Sequence, residues 1–121
     1  MSTSFERGLQ VRREVVGAEY VDRMVADPDA FDRPLQDLIT EVAFGGVWDR
    51  PGLGRRERSM ITVAMLTALG RSDELAVHVE AALRNGVTEE ELREALLQAA
   101  IYCGIPAAYE AFRVAKRVLS R

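Results

Sequence analysis

Apolar side chains recur along this chain at three- and four-residue spacings, and short breaks of glycine, proline and asparagine punctuate them. That spacing lays them along one face of a helix, whereas a half-buried strand would alternate at two. The pattern predicts an all-α fold, a bundle of five or six helices forming one domain over 1–121. The first helix, about Ser4 to Val16, carries Phe5, Leu9, Arg12 and Val16 at helical spacing and ends near Gly17. Its apolar side is weak, so residues 1–28 read as an arm that docks on something else; Tyr20 to Val25 adds a turn before the Asp27-Pro28 break. A second helix is expected over Asp29 to Phe44, with Phe31, Leu35, Leu38, Ile39 and Val42 as its stripe and Gly45-Gly46 as its end.

A loop punctuated by Pro51, Gly52 and Gly54 follows. The third helix, about Arg56 to Leu69, is charged only in its first turn and is apolar or threonine from Met60 onward. Such a helix is expected to be buried on every side, in a chain this short partly against another subunit. Gly70 breaks the chain, Ser72 is placed to cap a fourth helix, and Asn85-Gly86 stops it. Thr88-Glu89-Glu90-Glu91 matches the capping box of a fifth helix running to about Cys103, and Gly104-Ile105-Pro106 opens the last.

With 48% hydrophobic and 29% charged residues, the 121-residue chain is globular rather than disordered and long enough to bury a core unaided. Its one cysteine and one histidine exclude an internal disulfide, a dithiol redox motif and a Cys-rich zinc site; no metal is expected. The net charge of −3, spread along the chain, argues against nucleic acid as the main partner. No apolar run approaches the ~20 residues of a membrane span, and no signal peptide is evident, so a cytoplasmic setting is expected.

On the fourth helix Leu75, Val79, Ala82 and Leu83 make the apolar stripe, with Glu74, His78, Ala81 and Asn85 as a strip beside it. Glu74 and His78 are one turn apart, so the carboxylate is in place to orient the imidazole and raise its basicity; a surface Glu–His pair worth a few tenths of a kcal/mol is the other reading of the same spacing. Arg55, Arg56 and Arg58 gather where the third helix begins. Guanidinium forks and free helix amides both suit a carboxylate ligand, although arginines at an interface or in water would look the same. Gln98 and Tyr102, one turn apart in an apolar stretch, need partners in a pocket, core or interface. Trp48 lines a site or covers the core, and Cys103 reads as a small buried hydrophobe.

Taken in order, Gly52-Leu53, Arg55, Arg58-Ser59, Ala68-Leu69-Gly70-Arg71, Glu74-Leu75, His78 and Ala81-Ala82-Leu83-Arg84-Asn85-Gly86 resemble the γ-carboxymuconolactone decarboxylase family. The likeness continues through Thr88, Leu97-Gln98, Tyr102-Cys103-Gly104, Pro106-Ala107-Ala108 and Ala111-Phe112-Arg113, covering the chain from about Phe31 to its C-terminus. The related alkylhydroperoxidase D-type reductases share the implied fold. They carry Cys-x-x-Cys where this chain has Arg71 and Glu74, and a glutamate where it has Ser59, so dithiol peroxide chemistry is excluded here.

The resemblance implies decarboxylation of 4-carboxymuconolactone to the 3-oxoadipate enol-lactone and CO2 in protocatechuate breakdown. No cofactor is implied, because the unsaturated lactone is its own electron sink. It implies His78 and Glu74 as catalytic residues, Arg55 and Arg58 on the carboxylates, and Ser59, Trp48, Gln98 and Tyr102 lining the pocket. It also implies a homo-oligomer, commonly a hexamer built as a trimer of dimers. A family member acting on another small unsaturated lactone or keto acid, and a helical assembly module without turnover, are the competing readings.

Overall fold

The computed structural model describes residues 3–26 and 29–121 and is helical throughout its regular structure. The Asp27-Pro28 break and the first two residues of the expected arm lie outside the described residues. Among the described residues, seven α-helices and one π-helical segment replace the five or six helices expected. The chain divides into two compact units at Gly54.

In the second unit, α4 (Arg55–Leu69), α5 (Ser72–Arg84), α6 (Glu89–Cys103) and α7 (Ile105–Leu119) are separated by breaks that local chemistry explains. Gly86 and Gly104 hold φ of 98° and 103°, a region where a side chain would be strained, and each ends a helix. The capping box forms as expected: the Glu91 N–H donates to Thr88 Oγ1 at 3.1 Å, and the Thr88 N–H donates to Glu91 Oε1 at 2.9 Å. Ser72 is a correction. It is already helical, the position before it is Arg71, and its hydroxyl donates to Glu110 Oε2 at 3.1 Å, tying α5 to α7 rather than capping α5.

Val63, Leu75, Val79, Leu92, Leu96 and Val114 close the core, and Ala82, Ala111 and Ala115 let the helices approach. α4 is not buried all round. Ser59, Val63 and Thr67 point inward at four-residue spacing, while Ile61, Met65 and Leu69 on the opposite face are exposed. Three neighbouring helices can cover only one side of a fourth. Thr62 and Thr67 donate their hydroxyls to the Arg58 and Val63 carbonyls four residues back, which makes them compatible with this helix.

The first unit holds α1 (Thr3–Val16), α2 (Ala18–Ala26), α3 (Arg33–Leu38) and the π-helical segment Ile39–Trp48. The helix expected over 29–44 is therefore short, and its continuation runs straight through Gly45-Gly46. Packing overrides the low helix propensity of that pair. The expected arm docks here within its own unit: Val11 and Val15 of α1 pack with Phe44. The expected stripe misses the core: Phe31, Leu35 and Leu38, in and before the short α3, and Val42 in the π segment are exposed, with Thr40 and Phe44 inward instead.

Two glycines set this contact. A methyl group added at Gly8 would overlap the Thr40 carbonyl oxygen, and one at Gly45 would lie 2.6 Å from the Ser4 carbonyl oxygen. Both obstacles are backbone, which cannot swing aside. Gly8→Ala is therefore expected to destabilise the chain by about 1–3 kcal/mol despite its better helix propensity; urea unfolding of the variant measures it, and unchanged or raised stability contradicts the contact. No helix among the described residues is long and apolar enough to cross a membrane.

Candidate active site

α5 turns Leu75, Val79 and Ala82 into the core, and this register decides where His78 goes. The imidazole falls on the flank of the helix, half-buried, with Nδ1 shut away from solvent. Burial lowers its pKa from the ordinary 6.5, since the charged ring loses hydration, and Glu74 pushes the other way. The neutral imidazole therefore dominates near pH 7. Glu74, one turn earlier, is itself exposed.

A lowered His pKa has a definite sign in stability. Between the folded value and 6.5, the unfolded chain takes up a proton that the folded chain refuses. Stability from this group is thus greatest above pH 6.5, falls as pH drops through 6.5, and levels off below the folded pKa. Thermal unfolding at pH 7.5 and 5.5 should show a larger loss for the wild type than for His78→Gln; equal losses would refute the assignment.

Farther along the same strip Ala81 is buried, and Asn85 Nδ2 donates to Ser59 Oγ at 3.0 Å. Ser59 is completely buried on α4, so within this chain its hydroxyl serves the α4–α5 contact rather than an open pocket. Asn85 was read from the sequence chiefly as a helix stop; its position seven residues after His78, on the strip singled out there, was the signal for this second role. Seven residues of α-helix are about 10 Å of rise, so the α4 end of the strip and the imidazole are two turns apart.

The three arginines separate into different roles. Arg56 pairs with Glu91 of the α6 cap and, at 3.2 Å, with Glu57, which ties it to structure. Arg55 and Arg58 are half-buried, and Arg58 Nε is out of solvent with no hydrogen bond among the described residues. A desolvated cationic donor in that state favours an incoming anion.

Gln98 and Tyr102 are not satisfied core residues. Both are exposed on α6, Tyr102 at 82%, beside exposed Leu97 and Ile101. Cys103, expected to be buried, is exposed in the same turn. α6 buries Leu92, Leu96 and Ala99, and these residues occupy the opposite face. Trp48, in the first unit, stacks on Phe44 with ring centres 5.7 Å apart and planes at 17°.

A nitrosuccinic acid decarboxylase of Metarhizium robertsii is 45% identical over 116 residues, 96% of this chain and 81% of that protein. A 4-carboxymuconolactone decarboxylase of Acinetobacter baylyi is 44% identical over 114 residues, 94% of this chain and 85% of the relative. The model of the carboxymuconolactone decarboxylase family matches residues 33–117, with His78, Glu74 and the α4 arginines inside the match. The chain belongs to the carboxymuconolactone decarboxylase family.

Proposed function

We propose that this chain is a carboxy-lyase that removes CO2 from 4-carboxymuconolactone and releases the 3-oxoadipate enol-lactone. The observation that carries the reading is a half-buried His78, neutral near pH 7 and one turn from Glu74, in a chain 44% identical to a decarboxylase of that lactone. The bond to the γ carboxylate breaks, and its electron pair moves through the ring double bond to the lactone carbonyl oxygen. A proton then reaches the α carbon, and CO2 leaves.

The side chains divide this work. Arg55 and Arg58 take the two carboxylates, Arg58 through its buried donor. The neutral imidazole donates an N–H to the enolate oxygen as charge collects there, an interaction strongest in the transition state. Two substrate carboxylates also raise the proton affinity of His78, so the same ring can take a solvent proton and pass it to carbon. Glu74 orients the ring. The substrate supplies the electron sink, so no cofactor enters the scheme.

Ser59 holds α4 against α5 through Asn85, behind the arginines. Gln98 and Tyr102 line the pocket in a homo-oligomer, a hexamer on this reading, which covers the apolar faces of α4 and α6. Exposed Ile61, Met65, Leu69 and Ile101 support such an assembly; a stable monomer in sedimentation would overturn it. The family match runs from 33 to 117, through both units, in keeping with one functional domain. The expected setting is cytoplasmic breakdown of protocatechuate.

A second reading rests on the relative that decarboxylates nitrosuccinic acid. Nitrosuccinate also keeps one carboxylate and loses another beside an electron-accepting group, here a nitro group. Assay of both acids by CO2 release and ultraviolet absorbance decides between them. Turnover of the lactone at least tenfold faster supports the proposal, the reverse order favours the second reading, and turnover of neither refutes both.

A further inference from the structure

The first turn of α4 carries Arg55 and Arg58, yet its own sequence does little to hold it. The residue before α4 is Gly54, which has no side chain to cap the free amides of that turn. Two contacts inside the second unit hold it instead. Arg56 pairs with Glu91, and Ser59, completely buried, accepts the Asn85 Nδ2–H at 3.0 Å. Arg56 and Ser59 are three residues apart, so both lie on one face of α4. Arg55 and Arg58 lie on the adjoining face, about a quarter turn round the helix axis.

Both partners belong to the same short connection. Asn85 follows the last residue of α5, where its own N–H donates to the Ala81 carbonyl at 2.9 Å. Glu91 sits in the first turn of α6, where one carboxylate oxygen accepts the Thr88 N–H and the other meets Arg56. Between them Val87 is buried in the core, so the connection is itself fixed. This turn thus grips α4 at two points within one helical turn. The two grips differ in kind. The Arg56–Glu91 pair is partly exposed and open to screening by salt, whereas the Asn85–Ser59 bond ends on a hydroxyl out of reach of solvent.

We propose that Asn85 and Glu91 are positioning residues for substrate binding: they fix the rotation of the first turn of α4, and with it the direction in which Arg55 and Arg58 meet the substrate carboxylates. A guanidinium already held in place binds an anion without first losing its freedom. Loosening the turn therefore weakens binding and leaves the bond-breaking step alone. It also lets water reach the Arg58 Nε, which is out of solvent in the intact turn. This role rests on the carboxylate binding proposed above for the two arginines, and adds the groups that set it.

Asn85→Ala should raise KM for 4-carboxymuconolactone about tenfold while kcat stays within about threefold of wild type. In an Arg58→Met background the same change should add less than about threefold to KM, because the side chain it positions is gone. A residue that merely stabilised the fold would cost the same factor in both backgrounds. Ser59→Ala breaks the same bond from the other side and serves if Asn85→Ala does not fold. Glu91→Gln keeps an acceptor for the Thr88 N–H but not the charge facing Arg56; it should raise KM less, by a difference that vanishes at high salt. The second readout needs no turnover. Hydrogen exchange at the Arg58 Nε, followed by NMR and assigned by its absence in Arg58→Met, should be at least tenfold faster in Asn85→Ala. If the wild type turns over neither acid, the reading of the reaction fails and the exchange rate alone decides. Unchanged exchange, unchanged KM in an active enzyme, or an equal penalty in the two backgrounds overturns the proposal.

Discussion

Replacing His78 by glutamine lowers kcat/KM for 4-carboxymuconolactone by roughly 10²–10⁴-fold, the largest effect on activity expected of a single substitution in this chain. Glutamine keeps a hydrogen-bond donor of similar reach but cannot carry a proton from solvent to carbon. The loss should fall mainly on kcat, because the enolate contact exists only as the carboxylate departs. Arg58→Met should show the contrasting pattern, raising KM more than it lowers kcat, if its desolvated Nε meets the substrate carboxylate before and during reaction as proposed. Steady-state kinetics on the two variants separate these effects. A His78→Gln enzyme within threefold of wild type in kcat would remove the imidazole from the mechanism.

Leu92→Ala costs the fold about 2–5 kcal/mol, the largest stability effect expected. Leu92 is 2% exposed at the start of α6 and packs among Leu75, Val87, Leu96 and Val118. Its smaller neighbours, Ala82, Ala111 and Ala115, belong to helices whose backbones are already in contact, so they cannot move in to fill the space. In a chain of this size each kcal/mol corresponds to about 4 °C in Tm, so thermal unfolding followed by circular dichroism resolves the change easily. A loss below 1 kcal/mol would mean that the second unit repacks around the missing side chain. The variant's kcat should stay near the wild-type value while it remains folded, because Leu92 faces the core and not the His78 flank.

The second unit was far more legible in the sequence than the first. Thr88, Asn85-Gly86 and Gly104-Ile105-Pro106 state helix ends through local chemistry, and each end appears in the structure where the residues place it. Caps and positive-φ glycines act over a few residues and need no distant partner. The first unit has no such marks over its central stretch. Gly8 and Gly45 let its backbones meet, a contact between residues far apart in the chain that no local pattern announces, and its π winding is equally unmarked. Nor does any local pattern mark that Phe31, Leu35 and Leu38 stay exposed.

The candidate site divides along the same line. The Glu74–His78 spacing was legible because a helix turn is a fixed length, and the family likeness rests on residues that can be read in order. Burial was not legible. Ser59 and Asn85 look like ordinary polar residues until α4 and α5 close on them, and Gln98 and Tyr102 look internal until α6 chooses its opposite face for the core. Arg12 was read at helical spacing with Phe5, Leu9 and Val16, but its burial and its partners Thr40 and Gln36 were not legible.

By itself, then, the order of residues determined the helical class, the ends of α5 and α6 and the start of α7, and which titratable groups share a helix face. Tertiary packing alone decided the register of the first unit, which face of α4 and α6 meets water, and the lowering of the His78 pKa by burial. The physical reason is range: hydrogen-bonded caps and helical periodicity act within about five residues, whereas desolvation depends on every atom the finished fold brings near.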